Sequence, residues 1–166
     1  GDARLFGVVL EREGPGVVYD ALGANGARLK LWEDTPASHW KEQLELRDPA
    51  LVILQYGTNE SEAGVLAPDY EQTLAQLISN VKEGAPGASV LVLAPLDRAE
   101  KGAGGKLVTR KIILKLIDAQ RKVALAQGVA FWDTFTAMGG EGSMGKWMSQ
   151  GLGSGDFTHP TPKGAE

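Results

Sequence analysis

Polar and apolar positions along this chain fall into two alternating kinds of pattern. The first is a short, unbroken apolar run: Leu51-Val52-Ile53-Leu54-Gln55-Tyr56, Ser89-Val90-Leu91-Val92-Leu93-Ala94 and Val129-Ala130-Phe131-Trp132-Asp133. Runs without alternation predict strands buried on both faces, the type found in parallel sheets. The second kind spaces apolar residues three and four apart. It predicts helices from Thr35 or Pro36 to about Leu46, from Pro68 to about Val81, and from about Lys106 to Gln127. Pro36 and Pro68 suit a first helical turn, and Gly128 suits the position after a last one. Val108, Ile112, Leu116, Ala119, Val123 and Ala126 form the buried stripe of the longest helix.

Outside this rhythm lie two β-rich runs, Phe6 to Leu10 and Gly16 to Tyr19, separated by the turn-forming Glu11-Arg12-Glu13-Gly14-Pro15. They predict a hairpin or two consecutive strands. Leu22-Gly23-Ala24-Asn25-Gly26-Ala27 is a loop punctuated by glycine. Arg98 to Gly105 reads as a mobile polar loop, and the glycine-rich Met138 to Gly155 as a folded loop leading to the C-terminal segment. Strand, helix, strand, helix, strand predicts the α/β class, a parallel sheet in a three-layer sandwich with helices on both faces. Reactive groups of such sheets gather beyond the carboxyl ends of the strands. Gly23, Gly26 and Asn59 fall just after strands, and Asp156 and His159 lie in the terminal loop.

Composition narrows the chemistry. With 166 residues, 43% of them hydrophobic, the chain is long enough for one domain with a real core. A net charge of −4 argues against nucleic acid as a partner. The absence of Cys removes thiolate chemistry, and two distant His argue against a metal site, His39 reading as a helix-surface residue. No apolar run approaches the ~18 residues that span a bilayer. Arg98, Lys101, Lys106, Arg110 and Lys111 cluster in sequence; they read as a solvated face, or as a surface for an anionic glycan.

Asp156 and His159 stand three apart in a segment rich in Gly, Pro and Ser, which places them on a loop. A carboxylate beside an imidazole there is either a base with its orienting acid or an Asp-anchored turn with a surface His. Asn59 either caps the segment after a strand or donates its amide into a cleft. Gly26 is either a turn residue or a backbone N–H that a substrate oxygen can approach. A backbone donor and a side-chain amide together make an oxyanion hole for a tetrahedral acyl intermediate.

In this order the residues resemble the SGNH (GDSL-type) hydrolase family of esterases and acylhydrolases. Leu22 to Ala27 resembles its glycine block, Gly57-Thr58-Asn59-Glu60 its Gly-x-Asn block, and Asp156-Phe157-Thr158-His159 its Asp-x-x-His block. The resemblance implies His159 as base, Asp156 as its partner, and Gly26 and Asn59 as oxyanion donors, with no cofactor. The nucleophile block does not match. Gly1-Asp2-Ala3 has Ala where the family has Ser, and Ser61, Ser143 and Ser154 do not sit in a nucleophile turn. The chain therefore reads as lacking the family's central first strand, its nucleophilic Ser and its closing helix. These are expected from an upstream segment or a companion chain.

Residues 1–15 are expected to end an upstream or inserted β-rich segment, and 16–166 to form the hydrolase domain. A branch of the family with an inserted carbohydrate-binding-like module fits this arrangement. It implies an ester substrate of the acetylated carbohydrate or peptidoglycan type, hence an extracytoplasmic location; the opening Gly1-Asp2-Ala3-Arg4, without an initiating Met, separately leads to the expectation of a processed or trimmed N-terminus. Alternatives are a carbohydrate-binding scaffold without turnover, an acyltransferase using the same triad, and a lipase-like acylhydrolase.

Overall fold

A computed structural model of the chain describes Asp2 and residues 12–166. Three parallel strands form the centre: β1 (Leu51–Gln55), β2 (Ser89–Leu93) and β5 (Ala130–Trp132), in the spatial order β1-β2-β5. Leu51 pairs with Ser89, Leu54 with Val92, and Val92 with Phe131, so the register is continuous across the sheet. Between the strands run α1 (Ala37–Arg47), before β1, then α2 (Tyr70–Gly84) and α3 (Lys111–Ala126). The α/β class and the parallel sheet expected from the apolar runs are both present.

The core lies on one side of that sheet. Leu54, Val90 and Val92 pack against Leu74, Leu77, Ile78 and Val81 of α2 and against Ile112, Leu116 and Val123 of α3. Ile113 and Ile117 extend the core to Ala94 and Phe135. Ile112, Leu116, Ala119 and Val123 of the stripe read from sequence are the packing face, because residues at i, i+3 and i+4 share one side of a helix, whereas Ala126 is exposed. The strands themselves depart from expectation. Leu51 and Ile53 are 49% and 45% exposed and Trp132 is 56% exposed. Among the described residues, each strand buries alternate side chains and leaves the others open, as the two-residue period of a strand requires when helices cover one face.

Other expectations are corrected. Gly16 to Tyr19 forms no strand: among the described residues it has no neighbouring strand to satisfy its backbone, and Val17 is 96% exposed. Phe6 to Leu10 lies outside the described residues. The mobile loop predicted from Arg98 is an antiparallel hairpin, β3 (Ala99–Lys101) with β4 (Leu107–Thr109). The longest helix consequently begins at Lys111, not Lys106. Val108 lies on the hairpin and is exposed, while Leu107 packs beside Met138 and Met144. Met138 to Gly155 is not simply a loop. It follows α4 (Thr134–Met138) and contains α5 (Ser143–Ser149), which docks Met144 beneath Ala99. Asp97, fully buried after β2, accepts the Met144 N–H at 2.9 Å and pins the start of that helix to the sheet. A last helical turn, α6, covers Pro162–Ala165.

Candidate active site

The carboxyl end of β1 runs straight into Gly57-Thr58-Asn59-Glu60. Gly57 has φ +117°, and a Cβ there would stand 2.9 Å from Pro95 Cγ and 3.3 Å from Gln120 Nε2. Only glycine lets the chain turn this closely against β2's exit. The turn continues into a 3-10 helix, Glu60–Ala63, for which Asn59 is the N-terminal flanking residue. Asn59 does not cap it with its side chain. Its amide instead donates to the Ala27 carbonyl at 2.8 Å, across to the glycine loop.

Glu60 reaches the same way. One carboxylate oxygen accepts the Leu29 N–H at 2.6 Å and the other accepts the Gly57 N–H at 2.8 Å. Asn59 and Glu60 therefore hold the loop of Gly26 against the end of β1. Gly26 itself is exposed, with φ +74° and no atom within 4 Å of where a Cβ would lie. Its N–H has no partner among the described residues.

The C-terminal loop is built around its carboxylate. Asp156 Oδ1 accepts the backbone N–H groups of Thr158, at 2.9 Å, and His159, at 3.0 Å. Its Oδ2 lies 2.7 Å from Nδ1 of His159. The His159 imidazole, then its backbone N–H and that of Thr158, hold the Asp156 carboxyl well below the usual carboxylate range. A carboxylate fixed this way accepts a hydrogen bond donated by Nδ1–H, the tautomer that leaves the lone pair on Nε2. The side chain of His159 is 69% exposed, so that nitrogen is open to approach. The rim is closed by Ser154 donating to the His159 carbonyl at 2.8 Å and by the bridge between Gly153 and Pro160.

Arg98 and Ala99 join the two halves. Arg98 Nη1 donates to the Thr58 carbonyl at 3.2 Å and to Ser61 Oγ at 2.9 Å, and Nη2 pairs with Glu62. The next residue, Ala99, donates its N–H to the Phe157 carbonyl at 2.9 Å, inside the Asp156–His159 loop. The four residues singled out in the sequence thus belong to three loops tied in series, beyond the ends of β1 and β2. The basic cluster is only in part a solvated face: Lys101, Lys106 and Lys111 are exposed, whereas Arg98 is largely buried and Arg110 pairs with Glu62 and Glu100. Sequence reasoning missed both Glu60 and Arg98 as organisers of the site. Adjacency to Asn59 was the signal available for Glu60; Arg98 carried none.

Among the serines, Ser61 is fully buried, donating to the Thr58 carbonyl at 2.6 Å, and Ser143 is buried beside Asp97. Neither hydroxyl is presented to His159. A cavity of about 220 Å³ lies to one side and is lined by Leu29, Glu60, Leu66, Tyr70 and Leu116. It includes none of Gly26, Asn59, Asp156 or His159, so the chemistry of the site lies at the exposed loops rather than in this hollow. Among the described residues no group of three or more acidic or His side chains is placed to hold a metal ion, and no helix is long and apolar enough to cross a membrane.

The structure thus holds an oriented imidazole on one loop, and an exposed glycine N–H and a partly buried amide on two others. The chain matches the GDSL-like lipase/acylhydrolase family over residues 1–166, and it belongs to that family of ester hydrolases. It is similar to a solved peptidoglycan O-acetylesterase, at 31% identity and a TM-score of 0.78 over 87% of this chain and 41% of that one. An acetylxylan esterase from Geobacillus stearothermophilus shares the fold at 17% identity and a TM-score of 0.57, over 84% of this chain and 63% of that one. A lipase/acylhydrolase from Enterococcus faecalis does so at 15% identity and a TM-score of 0.57, over 84% and 65%. This chain therefore spans less than two thirds of each of these proteins. No curated protein matches it.

Proposed function

We propose that this chain supplies the base and the oxyanion hole of a serine esterase that removes O-acetyl groups from a carbohydrate, peptidoglycan being the substrate type of its 31% identical structural relative. The observation that carries the reading is the 2.7 Å contact of Asp156 Oδ2 with His159 Nδ1, on a carboxylate already anchored by two backbone N–H groups. A mere turn needs the anchoring bonds; it does not need the imidazole held as well.

In the reaction, a serine Oγ–H gives its proton to Nε2 of His159 as Oγ attacks the acetyl carbonyl carbon. Asp156 holds the Nδ1–H tautomer and stabilises the imidazolium. The carbonyl oxygen becomes an oxyanion that accepts from the Gly26 N–H and from the Asn59 amide hydrogen not used on Ala27. The C–O bond to the sugar breaks, His159 returns the proton to the sugar oxygen, and an acetyl-serine remains. Water then attacks, giving its proton to His159, and acetate leaves as the serine recovers its own. Ser61 and Ser143 are sequestered, and in this reading the nucleophile comes from a segment or companion chain other than the described residues. A substrate of this class lies outside the cytoplasm, which makes the protein extracytoplasmic in this reading.

The test is hydrolysis of an aryl acetate and of O-acetylated peptidoglycan by the full-length protein and its His159→Ala variant. Loss of both activities, with an unchanged melting curve, is expected. Undiminished turnover by His159→Ala overturns the assignment. An acetyl group transferred to an added sugar, in place of acetate released by water, identifies an acyltransferase.

A further inference from the structure

Glu60 touches, with its side chain, the backbone of both loops of the proposed oxyanion hole. Its two carboxylate oxygens divide between them. Leu29 N–H, three residues after Gly26, bonds to Oε1 at 2.6 Å, and Gly57 N–H, two residues before Asn59, bonds to Oε2 at 2.8 Å. Both donors are backbone groups at partly buried positions, and an ionised acceptor makes such bonds about twice as strong as a neutral one. The bond from Asn59 to the Ala27 carbonyl is a second link between the same loops. It uses a hydrogen of the group that must also face substrate. Glu60 has no such double duty.

We infer that Glu60 is a positioning residue for catalysis: its carboxylate bridges the Gly57 turn and the Leu29 backbone, and so sets the separation of the Gly26 N–H from the Asn59 amide. Two donors stabilise an oxyanion only if both point at one oxygen, about 2.7–3.1 Å away. They come from loops more than thirty residues apart in sequence, so nothing local fixes their spacing. The glycine loop has little apolar anchoring of its own: Leu29 is buried, whereas Leu22 and the residues from Gly23 to Gly26 are exposed. A clamp is therefore needed at the Leu29 end, where the carboxylate lies. Glu60→Gln replaces one acceptor oxygen with an NH2 group facing an N–H, so one loop is released.

The inference rests on the oxyanion-hole reading, and the experiment separates the two. Turnover of an aryl acetate is measured for the full-length protein, Asn59→Ala, Glu60→Gln and the double variant, each normalised to active sites titrated with a serine-directed phosphonate. Glu60→Gln is expected to lower kcat about tenfold to a hundredfold with KM nearly unchanged. Affinity for an alkyl boronic acid, which places an oxygen in the hole, falls in parallel. The double variant is expected to be scarcely worse than Asn59→Ala, because both changes spoil one device. A residue that only stabilises the fold lowers the melting temperature and the titrated fraction, but not kcat per titrated site. Wild-type kcat per site in Glu60→Gln, or full additivity with Asn59→Ala, overturns the inference. Wild-type turnover in Asn59→Ala overturns the oxyanion reading beneath it. If Glu60→Gln fails to fold, Glu60→Asp carries the same readouts, since it keeps the charge and shortens the reach by one methylene.

Discussion

The side-chain amide of Asn59 donates to the carbonyl oxygen of Ala27 at 2.8 Å, which joins the residue after β1 to a loop thirty-two positions earlier. The bond orients the amide plane and leaves its second hydrogen for an incoming oxygen. Of the two roles that sequence left open, it removes the cap, since Asn59 makes no side-chain capping bond to the helical turn that follows it.

Asn59→Ala in the full-length protein is expected to lower kcat by about 10²–10³, the usual effect of losing one oxyanion donor. The side chain is only partly buried, so thermal stability changes little. Parallel stopped assays with an aryl acetate and thermal melts check both halves of this expectation.

Asp156 governs a pH dependence whose sign is determined by its environment. The His159 imidazole and the two backbone donors hold its carboxyl below the ordinary value, so between the two values the unfolded chain binds more protons than the folded one. The stability it contributes is complete above the unfolded value of about 3.9 and is lost as pH falls below it toward the folded value. Melting temperatures measured from about pH 5 down to 2 should therefore fall more steeply for the wild type than for Asp156→Asn. Near neutral pH the same variant is expected to lose about 10²–10⁴ in kcat, because an amide no longer enforces the Nδ1–H tautomer. Identical acid limbs in the two proteins would remove Asp156 from the account.

Gly57→Ala tests the turn that delivers Asn59. Its φ of +117° and the 2.9 Å approach to Pro95 Cγ leave a methyl group no relaxed place. Destabilisation by about 2–4 kcal/mol is expected, as backbone strain and overpacking add. Chemical denaturation reads this directly. Folded Gly57→Ala should also show reduced kcat, as Asn59 and Glu60 move with the turn.

Arg98→Ala frees the Asn59 turn from the start of β3, whose Ala99 N–H holds the His159 loop. The Thr58 carbonyl and the buried Ser61 hydroxyl lose their shared donor, at a cost of about 1–3 kcal/mol. Arg98→Lys should recover only part of it, since an ammonium cannot reproduce a planar fork that meets three acceptors. Added guanidinium at millimolar concentration, well below denaturing levels, is expected to restore turnover to Arg98→Ala and not to Asn59→Ala. Without such rescue, Arg98 is not what couples the loops.

How much of this was legible in the sequence depended on whether a signal was local. The apolar runs at Leu51, Ser89 and Ala130 and the helical stripe through Ile112, Leu116 and Val123 announced the α/β class, because side-chain periodicity is a property of neighbouring residues. Asp156 and His159 lie three apart, so their contact was readable as one of two options. Leu107 to Thr109 was misjudged for the opposite reason. Its residues continue a helical pattern, yet pairing with Ala99 to Lys101 makes them a strand, and pairing is a tertiary event.

The same division runs through the site. Sequence alone determined which groups are available: an imidazole with a carboxylate three residues away, an amide after a buried strand, and a glycine free of a Cβ. Only the tertiary structure decided what each is bonded to. Glu60 acquired its two acceptor bonds, and Arg98 its three partners, from loops far away in sequence. Hydrogen bonds of this kind depend on distances of a few tenths of an ångström between segments, and no local pattern of residues encodes that separation.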